Sequence, residues 1–155
     1  MKDRRTRFKF GLNKLYLPYY EALCSLLSDS WQPISGYRSF EDQDKLFSQG
    51  RNHPGIIVTR ARGGFSFHNY GLATDWDHFV GEQWSPLTFE DPLWDEYIDA
   101  CHKVGVKCID WEKPHNQLPV DVSGRKLFLC HQDGGMDAVN AYLRGELHGQ
   151  GPPAA

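Results

Sequence analysis

The segment GGFSFHNYGLATDWD, residues 63–77, constrains the fold most strongly, because it joins a histidine to a strand-like pattern across a glycine. His68 and Asp75 lie seven residues apart, and Gly71 interrupts the chain between them. The residues LATDWDHFV alternate well enough to predict a β-strand with Asp75 and Asp77 on one face. A surface loop does not need a histidine and two acids at this spacing, and a hydrophobic core rarely tolerates them. By itself, the spacing is compatible with chance as well as with a metal site.

The composition indicates a globular domain without a general preference for polyanions. The chain has 155 residues, 40% of them hydrophobic and 14% aromatic, which suffices for a sizeable core. Its 17 basic and 20 acidic side chains give a net charge of -3, whereas phosphate binding needs clustered positive charge. We therefore expect no nucleic-acid partner. We interpret the basic N-terminus as a solvated tail, with attraction to an anionic surface as the alternative. Its cations are Lys2, Arg4, Arg5, Arg7 and Lys9.

The chain carries no recognisable targeting signal. No apolar run reaches the length of a signal peptide or a membrane span, so we expect the protein to be made in the cytoplasm. We also expect it to be a monomer. The four cysteines form no C-x-x-C pair, and we expect them to be reduced and buried. They are Cys24, Cys101, Cys108 and Cys130.

The hydrophobic pattern predicts four helices alternating with three strands. The predicted helices cover residues 18–28, 39–50, 91–105 and 136–147, and the predicted strands cover residues 31–38, 72–80 and 106–111. This order favours an α+β fold, a small antiparallel sheet with helices packed on it. We expect a single domain over residues 1–148 and a disordered tail over residues 149–155.

Local signals refine this prediction. Ser39, with Asp42 three residues later, resembles a capping box at a helix start. Pro33 favours an edge position for the first strand. Residues 51–66 read as a long loop, and loops of that length are often functional. An apolar stripe on the last helix is expected to pack onto the domain. Its members are Met136, Val139, Leu143 and Leu147.

A second cluster of polar residues lies in DWEKPHNQ, where Glu112 precedes His115 by three residues. The ring of Pro114 fixes its own φ and keeps Lys113 extended, so this turn is expected to be stiff. A stiff turn is useful where a metal ligand and a proton-transfer group must face one ion. Catalytic zinc takes three protein ligands from imidazole, carboxylate or thiolate groups. The sequence contains no H-E-x-x-H motif.

Three motifs, SGYRSFEDQ, SFHNYGLATDWD and DWEKPH, occur in an order that resembles the VanY-type zinc peptidases of bacterial cell-wall metabolism. That family includes D-alanyl-D-alanine carboxypeptidases, D,D-dipeptidases and phage L-alanyl-D-glutamate endopeptidases that serve as endolysins. The resemblance covers residues 35–117. The family pattern S-x-H-x-x-G-x-A-x-D, followed by an acid three residues before a histidine, is matched by Ser66, His68, Gly71, Ala73, Asp75, Glu112 and His115. Two departures are Glu112, where the endolysin branch more often has aspartate, and Asn116, where an aromatic residue is more usual.

The resemblance implies roles for six residues. His68, Asp75 and His115 would bind Zn2+, Glu112 would act as base and then acid, Arg38 would stabilise the oxyanion, and Ser66 would contact substrate. Hydrogen bonding of Ser66 to the loop backbone is an equal alternative for that residue. Asp77 is an alternative to Asp75 as a ligand, or it orients one of the ligands without touching the metal ion. Thiolate from Cys108 or Cys130 is a further alternative.

The resemblance also implies a function and a fold. We expect the fold that the hedgehog signalling domain shares with the D-Ala-D-Ala peptidases. We also expect the protein to be an endolysin that hydrolyses the L-alanyl-D-glutamate bond of the peptidoglycan stem peptide. Such an enzyme would be made in the host cytoplasm and reach the wall through a separate pore. A D-alanyl-D-alanine carboxypeptidase or dipeptidase is the first alternative. A non-catalytic zinc module like the hedgehog signalling domain is the second, and the presence of Glu112 and Arg38 argues against it.

Overall fold

The sheet at the centre of the protein is antiparallel throughout and carries helices packed against it. The computed structural model describes residues 2–149 and residue 151. In chain order its elements are α1 (Lys2–Lys9), α2 (Leu17–Leu26), β1 (Trp31–Ser35), α3 (Phe40–Ser48), a 3-10 helix (Phe67–Tyr70), β2 (Ala73–Val80), β3 (Gln83–Trp84), α4 (Trp94–Val104), β4 (Lys107–Cys108), β5 (His115–Gln117) and α5 (Gly124–Glu146). The predicted α+β class is confirmed. Of the predicted tail, residues 150 and 152–155 lie outside the described residues.

The strand order fixes which residues become neighbours. The sheet runs β1-β2-β5-β4, and the short β3 pairs with the far end of β2. Strand β1 is therefore an edge strand, as Pro33 predicted. Asp75 on β2 pairs with Ser35 on one side and with His115 on the other. The β1 register shifts between Pro33 and Ser35, next to this row. The row Ser35–Asp75–His115 consequently crosses three strands.

One face of the sheet is covered by α2 and α4 and forms an aromatic core. The Trp31 ring stacks on Tyr97 with centroids 5.3 Å apart, and Trp76 packs against Tyr20 at 5.7 Å. These four side chains are almost completely buried. Because side chains alternate along a strand, burial of Trp76 on this face directs Asp75 to the other. The core and the candidate site thus occupy opposite faces of β2.

The basic N-terminus is a helix packed on the domain, so its interpretation as a solvated tail is wrong. The guanidinium of Arg5 donates to the backbone oxygens of Cys24 at 2.7 Å, Ser28 at 2.6 Å and Trp31 at 2.8 Å. The Arg4 guanidinium lies 4.7 Å from the centre of the Phe79 ring. Arg5 thus satisfies carbonyl groups near the end of α2 and at the start of β1.

Several predicted boundaries are confirmed. Ser39 caps α3, its hydroxyl accepting from the Asp42 N–H at 3.1 Å, and Gly105 ends α4 with a φ of 83°. Residues 51–66 form no helix or strand apart from an isolated bridge between Gln49 and His53. Leu143 and two further members of the last apolar stripe are buried.

Other predicted boundaries differ from the structure. The last helix begins at Gly124, twelve residues before its predicted start at residue 136, and it breaks at Gly134 and Gly135. Met136, next to this break, is 37% exposed. The strand predicted over residues 106–111 is confined to Lys107–Cys108, and β5 was not predicted. Within residues 2–149 and 151, no helix is both long and apolar enough to cross a bilayer.

Candidate metal centre

Three donor atoms from distant parts of the chain converge beside β2. The Oδ1 atom of Asp75 lies 3.1 Å from Nδ1 of His115 and 3.3 Å from Nε2 of His68, and the two nitrogens are 3.3 Å apart. Zinc bound tetrahedrally at about 2.0–2.1 Å holds its ligand atoms roughly 3.3 Å from one another. The triangle therefore has the size that a metal ion requires, and these three residues could hold one.

Each donor is positioned by a different local structure. His68 lies in the 3-10 helix, which Gly71 ends with a φ of 66°. A Cβ on Gly71 would come within 2.5 Å of the Gly11 carbonyl oxygen, so this turn requires glycine. Asp75 and His115 are direct partners across the β2–β5 pair. The glycine and the strand register together bring the three donors to one point.

The far ring nitrogens of both histidines are hydrogen-bonded in the manner of metal ligands. The Nδ1–H of His68 donates to the Gly36 carbonyl at 2.8 Å, and Nε2–H of His115 donates to Oε1 of Gln117 at 3.0 Å. A carbonyl oxygen can only accept, so each far nitrogen carries a proton, and in the neutral imidazole the near nitrogen then offers its lone pair. Such outer partners orient metal-binding imidazoles and increase their basicity. The chemistry of the donor set fits a divalent cation.

The electrostatics of the triad favour positive charge. Burial alone would raise the pKa of Asp75, but the adjacent His68 and His115 outweigh it and hold that pKa below its usual range. For His115 burial acts in the opposite direction and would lower the pKa. The carboxylate of Asp75 outweighs this effect, so the pKa of His115 is raised. The partly buried carboxylate is thus stabilised by whatever positive charge shares the site, whether a proton or a metal ion.

A buried polar network on the opposite sheet face holds the two strands in register. The Asn116 amide donates to the hydroxyls of Tyr97 at 2.7 Å and Thr74 at 3.2 Å, and it accepts from Tyr16. The Tyr97 hydroxyl in turn donates to the Pro114 carbonyl at 2.8 Å. Thr74 and Asn116 are the cross-strand pair beside Asp75 and His115. An amide at position 116, unusual for the resembled family, therefore has a structural reason here.

Arg38 lies beside the triad and is held by two side chains. Its Nη1 donates to Oε1 of Gln43 at 2.9 Å and its Nη2 to the Ser35 hydroxyl at 2.8 Å. The Nη2 atom is 4.0 Å from Oδ2 of Asp75. Sequence reasoning missed Gln43, although it is the last residue of the SGYRSFEDQ motif, because its burial in α3 is not visible in the sequence.

The two remaining predicted site residues, Glu112 and Ser66, lie outside the triad. Glu112 lies on an exposed turn whose backbone oxygen accepts from the His115 N–H at 2.9 Å. The Ser66 hydroxyl caps the 3-10 helix and accepts from the N–H of His68 at 3.3 Å.

The alternative ligands do not join the triad. The Asp77 carboxylate accepts from the His78 N–H at 2.8 Å and from the Trp84 indole at 2.9 Å, so it is directed elsewhere. The metal-binding group found within residues 2–149 and 151 includes neither Cys108 nor Cys130. All four cysteines are free, as predicted, but only two are fully buried.

Two known proteins or families match part of this chain. Residues 24–91 match the family VanY, described as D-alanyl-D-alanine carboxypeptidase. This range includes Arg38, His68 and Asp75. The chain is also 65% identical, over 40 residues, to the peptidoglycan L-alanyl-D-glutamate endopeptidase CwlK of Bacillus subtilis (strain 168). That match covers 26% of this chain and 24% of the relative, so it spans about a quarter of the relative's length.

Both matches cover less than half of the chain. Over residues 24–91 the chain resembles the VanY-type peptidases, and both matches support the resemblance that the three short motifs predicted.

Proposed function

We propose that this protein is a zinc-dependent peptidoglycan peptidase that hydrolyses the L-alanyl-D-glutamate bond of the stem peptide. The observation that carries the proposal is the triangle of His68, Asp75 and His115, with both far imidazole nitrogens engaged. Two imidazoles and one carboxylate leave a fourth tetrahedral position for water or substrate, as catalytic zinc sites do. A purely structural zinc site is closed by four protein ligands.

The reaction needs a proton acceptor, a proton donor and a group that stabilises negative charge. Bound zinc would acidify a water molecule and polarise the scissile carbonyl. Glu112 takes the proton of the attacking water and delivers it to the departing amine nitrogen as the C–N bond breaks. Its exposed turn, tied to His115 by a backbone hydrogen bond, is where an extended substrate can reach it. Glu112 therefore serves as base and then acid.

Arg38 is the candidate for oxyanion stabilisation. Its guanidinium has five N–H donors, and two of its nitrogens are held by Ser35 and Gln43 beside the triad. Donors fixed in advance stabilise developing charge without reorganisation, and loss of one typically costs about 10²–10³ in rate. Ser66 is kept as a substrate contact in addition to its capping role.

The choice of bond rests on the relative's name, which describes an L-alanyl-D-glutamate endopeptidase. We further propose an endolysin role, with synthesis in the host cytoplasm and release through a separate pore. We propose that the protein acts as a monomer. The family description favours a second candidate, cleavage of the terminal D-alanyl-D-alanine bond.

Digestion of purified peptidoglycan separates these candidates. New free amino groups on D-glutamate are expected, whereas release of D-alanine would establish the carboxypeptidase alternative. Chelation should abolish the activity and added zinc should restore it. Zinc binding without any hydrolysis would contradict the enzymatic proposal and support a non-catalytic zinc module.

A further inference from the structure

Gln43 is a fully buried polar residue that connects Arg38 to the segment following α3. Its Oε1 accepts from Nη1 of Arg38 at 2.9 Å. Its Nε2 donates to the backbone oxygen of Ala61 at 2.8 Å and to the hydroxyl of Thr59 at 3.3 Å. Its side chain has no solvent exposure. One amide thus joins a candidate catalytic arginine to residues 59–61.

The chemistry of its neighbours fixes the orientation of this amide. A guanidinium can only donate and a backbone carbonyl can only accept, so a rotated Gln43 would oppose donor to donor and acceptor to acceptor. A buried amide without partners is costly, and Gln43 instead has partners for its oxygen and both N–H groups. The network therefore has one stable arrangement.

The segment that Gln43 anchors has no regular secondary structure to hold it. The Thr59 hydroxyl also accepts from the Ala61 N–H at 3.2 Å, and the Thr59 carbonyl accepts from Arg51 at 3.1 Å. On the other side, Ser35 supports the second terminal nitrogen of Arg38. Two hydrogen bonds to different terminal nitrogens define the plane of the guanidinium, because the group is rigid.

We propose that Gln43 is a positioning residue that sets the guanidinium of Arg38 beside the metal triad and couples it to residues 59–61. Only the kinetic consequence of this role rests on the proposed function. Arg38 would otherwise sample several rotamers of its long side chain, and the preorganisation that oxyanion stabilisation requires would be lost. Gln43 touches neither metal nor substrate in this role.

A double-mutant cycle tests the proposal. Gln43→Leu is expected to lower kcat for peptidoglycan hydrolysis about 10–100-fold, the range seen for outer supports of active-site groups, with a much smaller change in KM. In an Arg38→Ala background the same substitution should cause no further loss, since Gln43 acts through Arg38. An equal loss in both backgrounds would contradict the proposal and indicate a general structural role.

The chain offers a matched control. Gln32 is also fully buried, and its side chain donates to the Asp29 carbonyl at 2.9 Å, a partner outside the triad and the Arg38 network. Gln32→Leu should leave kcat unchanged. A comparable fall in kcat for both variants would overturn the inference, because it would trace the effect to loss of any buried amide.

A structural measurement keeps the test independent of hydrolysis. In NMR spectra, Gln43→Leu should broaden or shift the Arg38 Nε–H signal and accelerate hydrogen exchange of the Ala61 amide. Gln43→Glu retains an acceptor for Arg38 but loses the donors to residues 59–61, so it should affect the Ala61 amide alone. This variant also serves if Gln43→Leu does not fold. Unchanged signals in a folded variant would overturn the positioning role, whereas an inactive wild type with these spectral changes would contradict only the proposed function.

Discussion

The two sides of the candidate site are built in different ways. The metal triad lies within the fold, where His68 and His115 are 4% and 6% exposed and every imidazole nitrogen has a neighbour. The candidate base, Glu112, occupies an exposed turn next to Trp111, which is 79% exposed. The geometry of the proposed ligands would thus be set by the fold, whereas proton transfer would fall to a group that solvent and substrate can reach. Mutations on the two sides should therefore have separable effects.

The largest expected effect comes from the exposed side. Glu112→Gln should lower kcat by about 10²–10⁴, the usual contribution of general acid–base catalysis. Zinc content and thermal stability should stay at the wild-type level, because the side chain is exposed. Assays of hydrolysis, metal content and Tm on the same preparation check this. Loss of zinc in this variant would contradict the separation of the two sides.

The next effect tests the polar network beneath the triad. Asn116→Leu removes three buried hydrogen bonds, those to the Thr74, Tyr16 and Tyr97 hydroxyls, and each such bond contributes about 1 kcal/mol. We expect the free energy of unfolding to fall by about 3 kcal/mol, measured by denaturant unfolding, together with weaker zinc binding. Asn140→Ala removes the amide that bonds Asn13 and is a suitable control. A stable Asn116→Leu with full zinc affinity would show that strand register does not depend on this network.

A smaller effect is expected from the outer support of one ligand. Gln117→Leu removes the acceptor for Nε2–H of His115 and should weaken zinc binding about 10–100-fold without disrupting the sheet. Competition with a chromophoric chelator measures the affinity. Unchanged affinity would mean that β5 alone orients His115.

Hydrophobic periodicity and the capping signals at helix ends predicted much of the fold. Strand β2, the start of α3 at Ser39 and the end of α4 at Gly105 followed from alternation, capping and glycine. Helix α1 was missed because its sequence, KDRRTRFK, lacks an apolar face, and its packing depends on Arg5 reaching carbonyls about 20 residues away. Strand β5 has three residues, too few for a period.

The site was predictable only as far as its motifs extend. The three ligand candidates His68, Asp75 and His115 could be named from the sequence because the resembled family has the same motifs in the same order. The supports from Gly36 and Gln43 and the network around Asn116 depend on distances between remote segments, which a single sequence does not encode visibly. Asn116 illustrates this, since it departs from the resembled family and is explained only by Tyr16 and Tyr97 across the core.

The most direct test of the account is zinc K-edge X-ray absorption on the purified protein. We predict one zinc per chain with nitrogen and oxygen ligands at about 2.0–2.2 Å, including two imidazoles, and loss of the ion in Asp75→Ala. A sulfur ligand at about 2.3 Å, or full zinc retention in Asp75→Ala, would contradict the central claim that His68, Asp75 and His115 form the metal centre.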